Sequence, residues 1–305
     1  MTLEAGSRIL VTGSAGRFGR SVVRALAQAG HEVLGVDTAP GTPPTDMPAG
    51  VATLPADLTD LGEAFEVMAR FRPRAVVHLA AVATPFSRTD AFTYRVNTQL
   101  AFNVCEAAAR TGVERVVVAS SPTVIGYGAP GGWEPARLPI DEGHPVAPWN
   151  AYSLSKLIAE EVMASFARSS PGTAFAAVRP CFVIAPEEWE GAPTQSGHTV
   201  RERLDRPELA GVSLFNYVDA RDASELVLTL LDRLPGLPPG EVFFAGAADA
   251  LAREPLAELL PRILPATAGH VARLTGTAPA FSSAKAERLL GWQAKRSWRT
   301  EIGEI

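Results

Sequence analysis

A tyrosine and a lysine stand four residues apart in the stretch NAYSLSK, as Tyr152 and Lys156. The stretch opens a helical pattern, in which a spacing of four places both side chains on one face, about one turn apart. An ammonium within about 4–6 Å of a phenol favours the phenolate and typically lowers its pKa by one to three units. The reference pKa of tyrosine is about 10, and this shift brings it toward the range in which a general acid or base works. The pair therefore predicts a tyrosine that acts as a general acid or base. The alternative is a helix-surface pair without a function.

Composition narrows the classes of protein that can carry this pair. The chain has 305 residues and a formal net charge of -5, which provides no basic field for nucleic acid or an anionic membrane. No apolar run reaches about 18 residues, and the N-terminal residues lack a signal-peptide pattern. The five histidines show no metal-ligand spacing, and Cys105 and Cys181 are interpreted as packed thiols of a reducing compartment. We expect a cytoplasmic protein that binds a small molecule and no metal.

Short β-branched runs alternate with helical patterns through the first 180 residues. This alternation predicts a Rossmann-type α/β fold, in which a doubly wound parallel sheet has helices on both faces. The predicted strands are 8–12, 31–37, 50–57, 74–80, 114–121, 173–180 and 241–246. The predicted helices are 21–29, 60–71, 90–110, 151–167, 220–234, 254–264 and 282–291. We expect residues 1–180 to form a cofactor-binding domain and residues 181–305 a smaller, irregular substrate-binding portion interleaved with it.

Three glycines follow the first predicted strand in the run TGSAGRFG, at Gly13, Gly16 and Gly19. Glycines at a strand-to-helix turn permit close backbone approach, so that a pyrophosphate can lie at the helix N-terminus. Asp37 ends the second strand, where a carboxylate accepts the ribose hydroxyls and disfavours a 2′-phosphate, and this favours NAD over NADP. A structural turn and an Asp37 that caps the segment 38–44 are the alternatives, and the nearby Arg17 and Arg20 keep NADP as the less favoured cofactor.

Two further strand ends carry residues suited to a dinucleotide. Asp57 and Leu58 end the third strand, where a side chain could reach an adenine amino group, although Asp57 could equally be a helix N-cap. The run HLAA, residues 78–81, places small residues where the fourth strand ends, and His78 is interpreted as a packed strand residue.

Taken in order, these motifs resemble the extended short-chain dehydrogenase/reductases, in the branch of NAD-dependent epimerases and dehydratases. The matching segments are TGSAGRFG, Asp37, DL at 57–58, HLAA, VN at 96–97, SSPTVIG at 120–126, YSLSK at 152–156, RP at 179–180, YVDARD at 217–222 and AERLLGW at 286–292. The resemblance covers essentially the whole chain. Motif and resemblance together place the following residues at the cofactor: Gly13, Gly16, Arg17, Phe18, Gly19, Asp37, Asp57, Leu58, Leu79, Ala80, Ala81, Tyr152 and Lys156.

The resemblance also implies roles in catalysis and assembly. Tyr152 is the expected general acid or base, Lys156 also holds the nicotinamide ribose, and Ser121 orients the substrate oxygen. Asn97 matches a helix position that supports the lysine. In relatives, helices corresponding to 90–110 and 151–167 pair in a four-helix dimer interface, so that a homodimer is expected. The expected substrate contacts are Ser121, Thr123, Tyr152, Arg179 and Phe182.

Departures from the family pattern bear on the substrate. Dehydratases of this branch carry Asp-Glu where this chain has Pro122 and Thr123, so that elimination is disfavoured. Nucleotide-sugar epimerases usually carry Asn at the position of Phe182 and often Arg at that of Phe215. A buried diphosphate without a cation is poorly compensated, which argues against a nucleotide diphosphate sugar unless Arg201 or Arg203 substitutes.

Three functions therefore stay open from the sequence. The first is an NAD-dependent dehydrogenase or reductase of a sugar, a uronate or a similar polyhydroxylated molecule. Arg179 matches the carboxylate-binding arginine of uronate dehydrogenases, although a structural arginine fits the same position. The second function is a sugar epimerase that oxidises one carbon transiently. A non-catalytic dinucleotide sensor is the third.

Overall fold

The computed structural model describes residues 2–39 and 47–304. Within these ranges it has nine strands and eleven α-helices. The strands are β1 Arg8–Thr12, β2 Glu32–Asp37, β3 Val51–Pro55, β4 Ala75–His78, β5 Arg115–Ala119, β6 Ala174–Pro180, β7 Val183–Ile184, β8 Val218–Asp219 and β9 Glu241–Ala245. The helices are α1 Arg17–Gln28, α2 Leu61–Phe71, α3 Asp90–Arg110, α4 Ala151–Ser169, α5 Pro186–Trp189, α6 Val200–Asp205, α7 Glu208–Gly211, α8 Ala220–Arg233, α9 Leu256–Ile263, α10 Ala284–Leu290 and α11 Trp298–Glu301.

Seven strands form one sheet in the order β3-β2-β1-β4-β5-β6-β9. Neighbouring strands from β3 through β6 are parallel. The order reverses between β1 and β4, which is the topological switch point at which doubly wound sheets bind ligands beyond the carboxyl ends of their strands. The predicted α/β fold is confirmed.

The strand sequences are continuously apolar because helices cover both faces of the sheet. On one face Leu10, Val76 and Val116 pack with residues of α2, α3 and α4 in a single hydrophobic core. The alternate residues of the same strands, Val11 and Val77 among them, are also fully buried. A strand of a parallel sheet therefore shows no polar alternation, and the sequence predicts such strands by their β-branched runs.

The long elements lie close to their predicted positions, whereas several short ones have no counterpart in the sequence prediction. Helix α3 has the predicted bounds, and α1 begins four residues earlier than predicted. The strands β7 and β8 and the helices α5, α6, α7 and α11 are absent from the prediction. Each has two to six residues, which is too short to show a period of two or of 3.6.

The chain divides into two compact units. The first unit comprises residues 1–120, 150–178 and 224–242, and the second comprises 121–149, 179–223 and 243–305. The assignment of cofactor binding to residues 1–180 and of substrate binding to residues 181–305 stays a prediction.

Helix α4 begins where its sequence provides a complete N-terminal cap. The Asn150 side chain accepts a hydrogen bond of 2.9 Å from the backbone N–H of Ser153, and the Ser153 hydroxyl accepts one of 3.3 Å from Asn150 N. Reciprocal caps of this kind satisfy donors that a helix end leaves without partners. Asn150 therefore sets the first residue of α4 and, with it, the places of Tyr152 and Lys156 in its opening turns.

Helix length and hydropathy bear on membrane association. Across residues 2–39 and 47–304, no helix combines the length and the apolar character needed to span a membrane.

The close approach of Gly19 to the preceding turn provides a test of the fold. A Cβ on Gly19 would lie 2.1 Å from the carbonyl oxygen of Gly13. Alanine is favoured over glycine in a helix by about 1 kcal/mol, but this contact is with backbone that a side chain cannot displace cheaply. We expect Gly19→Ala to lower the free energy of unfolding by about 1–3 kcal/mol in urea titrations.

Gly172 is the matched control for this substitution, because a Cβ there would meet nothing within 4 Å. Gly172→Ala should leave the stability unchanged or slightly raise it. If Gly19→Ala is as stable as the wild type, the described packing of this turn is wrong.

Candidate active site

The glycine turn after β1 packs directly against the end of β4. Gly13 has φ of 70°, and a Cβ on it would lie 2.6 Å from the backbone nitrogen of Ala80. Thr12 Oγ1 accepts hydrogen bonds from Leu79 N and Ala80 N at 3.2 and 3.1 Å. The sequence placed both segments at a cofactor separately, and the structure brings them into contact. Ala81 follows in the same segment and is half-buried.

His78 is a packed histidine of this contact. Its Nδ1 lies 2.7 Å from Thr12 Oγ1, and burial lowers its pKa to about 3, with a further lowering by the charge of Lys156. Because Thr12 accepts two backbone N–H groups, its hydroxyl proton points to His78, whose Nδ1 then accepts. A neutral histidine in this arrangement stabilises the strand ends, as the sequence suggested.

The N-terminus of α1 is arranged to hold an anion. Gly16 caps the helix without a side-chain hydrogen bond, and the first turn has no acidic residue. The first turn of a helix presents backbone N–H groups, and the helix dipole favours an anionic group at this end. Arg17 and Phe18 are half-buried in this first turn. These features fit the pyrophosphate of a dinucleotide.

Asp37 lies at the other side of the same turn. Its Oδ2 accepts a hydrogen bond of 3.2 Å from Ala15 N, which holds the carboxylate beside the glycine turn. Oδ1 also lies 3.5 Å from Thr38 Oγ1 and from Ala39 N. Most of the proposed turn 38–44 lies outside the described residues. The carboxylate is in the position at which a dinucleotide fold meets an adenosine ribose.

The structure corrects the helix-cap alternative for Asp57. The N-cap of α2 is Asp60, which accepts a hydrogen bond of 3.1 Å from Glu63 N. Asp57 instead accepts from Thr59 N at 3.0 Å and from the Thr59 hydroxyl at 2.7 Å. Its carboxylate is exposed, whereas Leu58 is buried in the core under α2 and α3. The sequence pattern DLTD offers two aspartates, and only the structure shows which one caps the helix.

Tyr152 and Lys156 lie on one face of α4, and both side chains are buried. The Lys156 ammonium is 5.9 Å from the centre of the Tyr152 ring, and it donates a hydrogen bond of 2.9 Å to the Ala119 carbonyl at the end of β5. Burial lowers the pKa of Lys156 to about 8, although the charge of Glu160 opposes this shift. The opening pair of the sequence is therefore a buried phenol beside a buried ammonium and not a surface pair.

Glu160 and Ser120 join this pair, and the sequence analysis missed both. The Ser120 hydroxyl donates to Glu160 Oε1 at 2.5 Å and lies 3.4 Å from the Lys156 carbonyl. Glu160 is four residues after Lys156 on α4 and is buried. A buried carboxylate at this spacing keeps the ammonium charged. The spacing was visible in the sequence, but the burial of Glu160 was not.

Asn97 on α3 connects the segment after β4 to the same part of α4. Its Oδ1 accepts from Val82 N at 2.7 Å, and its Nδ2 donates to Val82 O at 3.2 Å and to Ser155 Oγ at 3.0 Å. Ser155 in turn donates to the Tyr152 carbonyl at 2.7 Å. Asn97 thus holds the turn of α4 that carries Tyr152 and Lys156.

In the second unit, Ser121 opens a short 3₁₀-helix over Pro122–Ile125. Its Oγ accepts hydrogen bonds from the Thr123 hydroxyl at 2.9 Å and from Thr123 N at 3.3 Å. Ser121 is buried, and its own hydroxyl proton has no acceptor among residues 2–39 and 47–304. This arrangement leaves Ser121 able to donate one hydrogen bond to a ligand oxygen.

Arg179 and Phe182, also in the second unit, were predicted at the substrate. The buried Arg179 guanidinium lies 5.3 Å over the Phe244 ring. Its charge also acts on Glu142, whose pKa burial raises and Arg179 partly lowers. Phe182 is half-buried, and its ring lies 4.2 Å from the guanidinium carbon of Arg203. Arg179 thus packs on an aromatic ring of its own unit, and its role at the substrate stays a prediction.

In the part of the chain that the structure describes, no group of three or more His, Cys, Asp or Glu residues is arranged to hold a metal ion.

Comparison with known proteins identifies relatives of the chain. A model described as the NAD dependent epimerase/dehydratase family matches residues 9–246. A UDP-glucose 4-epimerase of Azospirillum brasilense is 34% identical over 161 residues, which are 52% of this chain and 44% of that protein. A UDP-glucose 4-epimerase of Lacticaseibacillus casei is 25% identical over 310 residues, and the match covers 93% of this chain and 91% of that protein.

The fold comparison agrees with the family model. A short-chain dehydrogenase/reductase superfamily protein from Agrobacterium tumefaciens, solved with bound NAD, has a TM-score of 0.72 and 25% identity. The match covers 97% of this chain and 95% of that one.

The buried ammonium of Lys156 predicts a pH dependence of stability. Its pKa is about 8 in the folded chain, below the ordinary lysine value of 10.5 that applies in the unfolded chain. Between these values the unfolded chain binds a proton that the folded chain does not, so that stability rises with pH. We therefore compare the unfolding free energy of Lys156→Met with that of the wild type. The variant's value minus the wild-type value should fall by about 1–3 kcal/mol between pH 7.5 and pH 10.

Urea titrations of both proteins at the two pH values measure this difference, because titrating groups that do not interact with Lys156 contribute equally and cancel. If this difference does not change with pH, burial does not lower the pKa of Lys156.

Proposed function

The chain belongs to the NAD dependent epimerase/dehydratase family, and on that premise we propose that it is an NAD-dependent sugar epimerase. The family resemblance inferred from the sequence is confirmed, and with it the prediction of an NAD-dependent enzyme of the extended short-chain dehydrogenase/reductase type. The observation that carries the proposal is the buried Tyr152–Lys156 pair on α4. A dinucleotide sensor needs no such pair, so we set the sensor aside.

The first unit would hold the cofactor through residues whose arrangement fits a dinucleotide. The uncapped N-terminus of α1 meets the pyrophosphate, and Gly13 permits the close approach of the turn. Asp37 meets the ribose hydroxyls and favours NAD over NADP. When bound, NAD would accept a hydride from a secondary alcohol, and the reduced cofactor would return that hydride to the resulting ketone.

Tyr152 would carry the proton in both directions. Its hydroxyl oxygen takes the proton of the substrate alcohol in the oxidation and returns a proton to the oxygen in the reduction. The charge of Lys156 stabilises the phenolate that this requires. Glu160 and the Ala119 carbonyl hold that ammonium in place, and we assign them a positioning role together with Asn97.

Ser121 would orient the substrate oxygen, since its hydroxyl has a proton to donate. Thr123 holds the Ser121 hydroxyl in one rotamer, and we propose that it acts through Ser121. Ser121 and Thr123 both belong to the second unit, and we propose that this unit supplies the substrate contacts.

Epimerisation is favoured over net oxidation by the relatives, since two of the matching proteins are UDP-glucose 4-epimerases. The sequence alone ranked the dehydrogenase first. Its reasons, Phe182 and Phe215 at positions that are polar in nucleotide-sugar epimerases, stand unchanged. A dehydrogenase that releases NADH is therefore the second candidate, and its substrate would be a sugar or a uronate without a nucleotide.

Cellular location is proposed from the two thiols. Cys105 and Cys181 are both free and buried, and burial raises the pKa of Cys105 to about 12. Unreactive packed thiols suit a reducing compartment, so we propose a cytoplasmic location.

Epimerase activity is tested by incubating the protein with UDP-glucose or UDP-galactose and substoichiometric NAD. We expect each sugar to convert into the other without net NADH formation. Tyr152→Phe removes the proton carrier and keeps the ring, so that turnover should fall by about 10²–10⁴-fold with the fold intact. Ser121→Ala should cost less, about one hydrogen bond.

Tyr127→Phe is the matched control, because Tyr127 is a buried tyrosine of the second unit that packs edge-to-face on Trp133 and Phe281. It should keep near-full turnover. Stoichiometric NADH without sugar interconversion would instead establish the dehydrogenase, and near-full activity of Tyr152→Phe would exclude the catalytic role of the pair.

We also propose a homodimer that pairs α3 and α4 with their counterparts. The two helices carry large apolar side chains that are at least 38% exposed, namely Phe92, Tyr94, Phe102 and Leu154. Phe102 also packs edge-to-face on Phe166, with ring centres 5.6 Å apart. Such a patch on a single chain indicates an interface.

Sedimentation at micromolar concentration should show a dimer for the wild type and a monomer for Phe102→Glu. Leu289→Glu changes an exposed leucine on α10, which belongs to the second unit, and should leave the dimer intact. A monomeric wild type would contradict the proposal.

A further inference from the structure

Arg203 on α6 is a buried cation. Arg203 is 1% exposed, and burial lowers the pKa of its guanidinium to about 10. Among residues 2–39 and 47–304, no carboxylate forms an ion pair with it. Burying an unpaired charge is expensive, and proteins normally compensate it with a partner or a ligand.

The guanidinium has few contacts to replace that partner. Nη2 donates to Ser213 Oγ at 3.2 Å, the ring of Phe182 lies 4.2 Å from the guanidinium carbon, and the buried Nε has no acceptor among the described residues. The Ser213 hydroxyl itself donates to the Ala210 carbonyl. A neutral hydroxyl and an aromatic face leave most of the donor fork of the arginine unused.

The turn that carries Ser213 is strained. Leu214 and Phe215 both have positive φ, 54° and 56°, which is a costly conformation for residues with a branched or bulky side chain. Hydrogen bonds from Leu214 N to Gly211 O and from Phe215 N to Ala210 O hold the turn. Val212, at its tip, is 70% exposed. Strain of this kind gathers at ligand-binding sites, where a ligand can shift the balance between two conformations.

Arg201 provides a contrast on the same helix. Its Nη2 donates to the Ile302 carbonyl at 2.9 Å, and its Nη1 lies 3.4 Å from Glu304 Oε1. Arg201 is thus paired with the chain's own residues and exposed. Of the two arginines that the sequence offered as substitutes for the cation missing at Phe215, Arg203 alone lacks a carboxylate partner in the described chain.

We propose that Arg203 binds an oxyanion group of the substrate, a phosphoryl or carboxylate group, whose oxygens take the place of the Ser213 hydroxyl. The planar guanidinium pairs two oxygens of either group at once. Movement of the turn 211–216 admits the anion to the buried guanidinium. The assignment rests on the proposed function in taking the ligand to be the sugar substrate, and it makes Arg203 a determinant of specificity for anionic sugars over neutral ones.

Titration calorimetry on the full chain with saturating NAD tests this assignment. The probes are inorganic pyrophosphate and UDP for a phosphoryl group, D-glucuronate for a carboxylate, and D-glucose as the neutral comparison. We expect at least one anionic probe to bind the wild type and Arg201→Met equally, and Arg203→Met about tenfold or more weakly. The probe that responds identifies the phosphoryl or the carboxylate group.

A melting curve without ligand separates binding from structure. Replacing an unpaired buried charge with an apolar side chain of similar length is neutral or stabilising, so the melting temperature of Arg203→Met should equal or exceed that of the wild type. If Arg203→Met does not fold, Arg203→Lys decides the matter, because it keeps the charge, loses the two-pronged geometry and should still weaken binding.

Equal binding of every probe by Arg203→Met and the wild type overturns the assignment, as does the failure of every anionic probe to bind the wild type. The two proposals fail differently. Binding that depends on Arg203 without any sugar interconversion would refute the epimerase and keep the subsite. Interconversion with the same KM in Arg203→Met and the wild type would keep the epimerase and refute the subsite.

Discussion

The buried ammonium of Lys156 is the constraint around which the first unit is built. A charge at this depth is stable only if carbonyl and carboxylate oxygens surround it. The end of β5 supplies the Ala119 carbonyl as acceptor, and the charge of Glu160, which accepts a hydrogen bond from Ser120, favours the ammonium. The cap at Asn150 sets the position of α4 along the chain. A shift of α4 by one residue would rotate the ammonium away from its acceptors.

The cofactor side of the first unit depends on close backbone packing. Gly13 lies against Ala80 so tightly that no side chain fits between them, and Thr12 ties the same two segments together. The turn therefore presents backbone N–H groups and an uncapped helix end in place of side chains. Backbone groups at a helix end attract any anion. We therefore propose that selectivity for a dinucleotide comes from side chains beside the turn, Asp37 among them.

The two units differ in how they compensate the charge of a buried cation. Lys156 has a hydrogen-bonding carbonyl and an attractive carboxylate charge in its own unit, whereas the partners of the Arg203 guanidinium among the described residues are one hydroxyl and an aromatic ring. The first arrangement suits a residue whose charge must persist through a reaction cycle. The second suits a residue whose counter-ion arrives with the ligand. This difference reconciles an apolar Phe215 with relatives that are UDP-glucose 4-epimerases, since the cation can come from another helix.

The sequence by itself determined the sheet, the long helices, the glycine turn and the Tyr152–Lys156 pair, because periodicity and fixed spacing along the chain are local properties. Tertiary structure alone decided what depends on burial and on contacts between distant segments. It made Asp60 and not Asp57 the cap of α2, brought the charge of Glu160 to act on Lys156, and left Arg203 with no carboxylate partner in the part of the chain that the structure describes. The very short strands and helices after Pro180 also escaped prediction, because elements of two to six residues form through contacts remote in sequence. The charge compensation of a buried side chain is set by its neighbours in space, and the order of residues does not contain those neighbours directly.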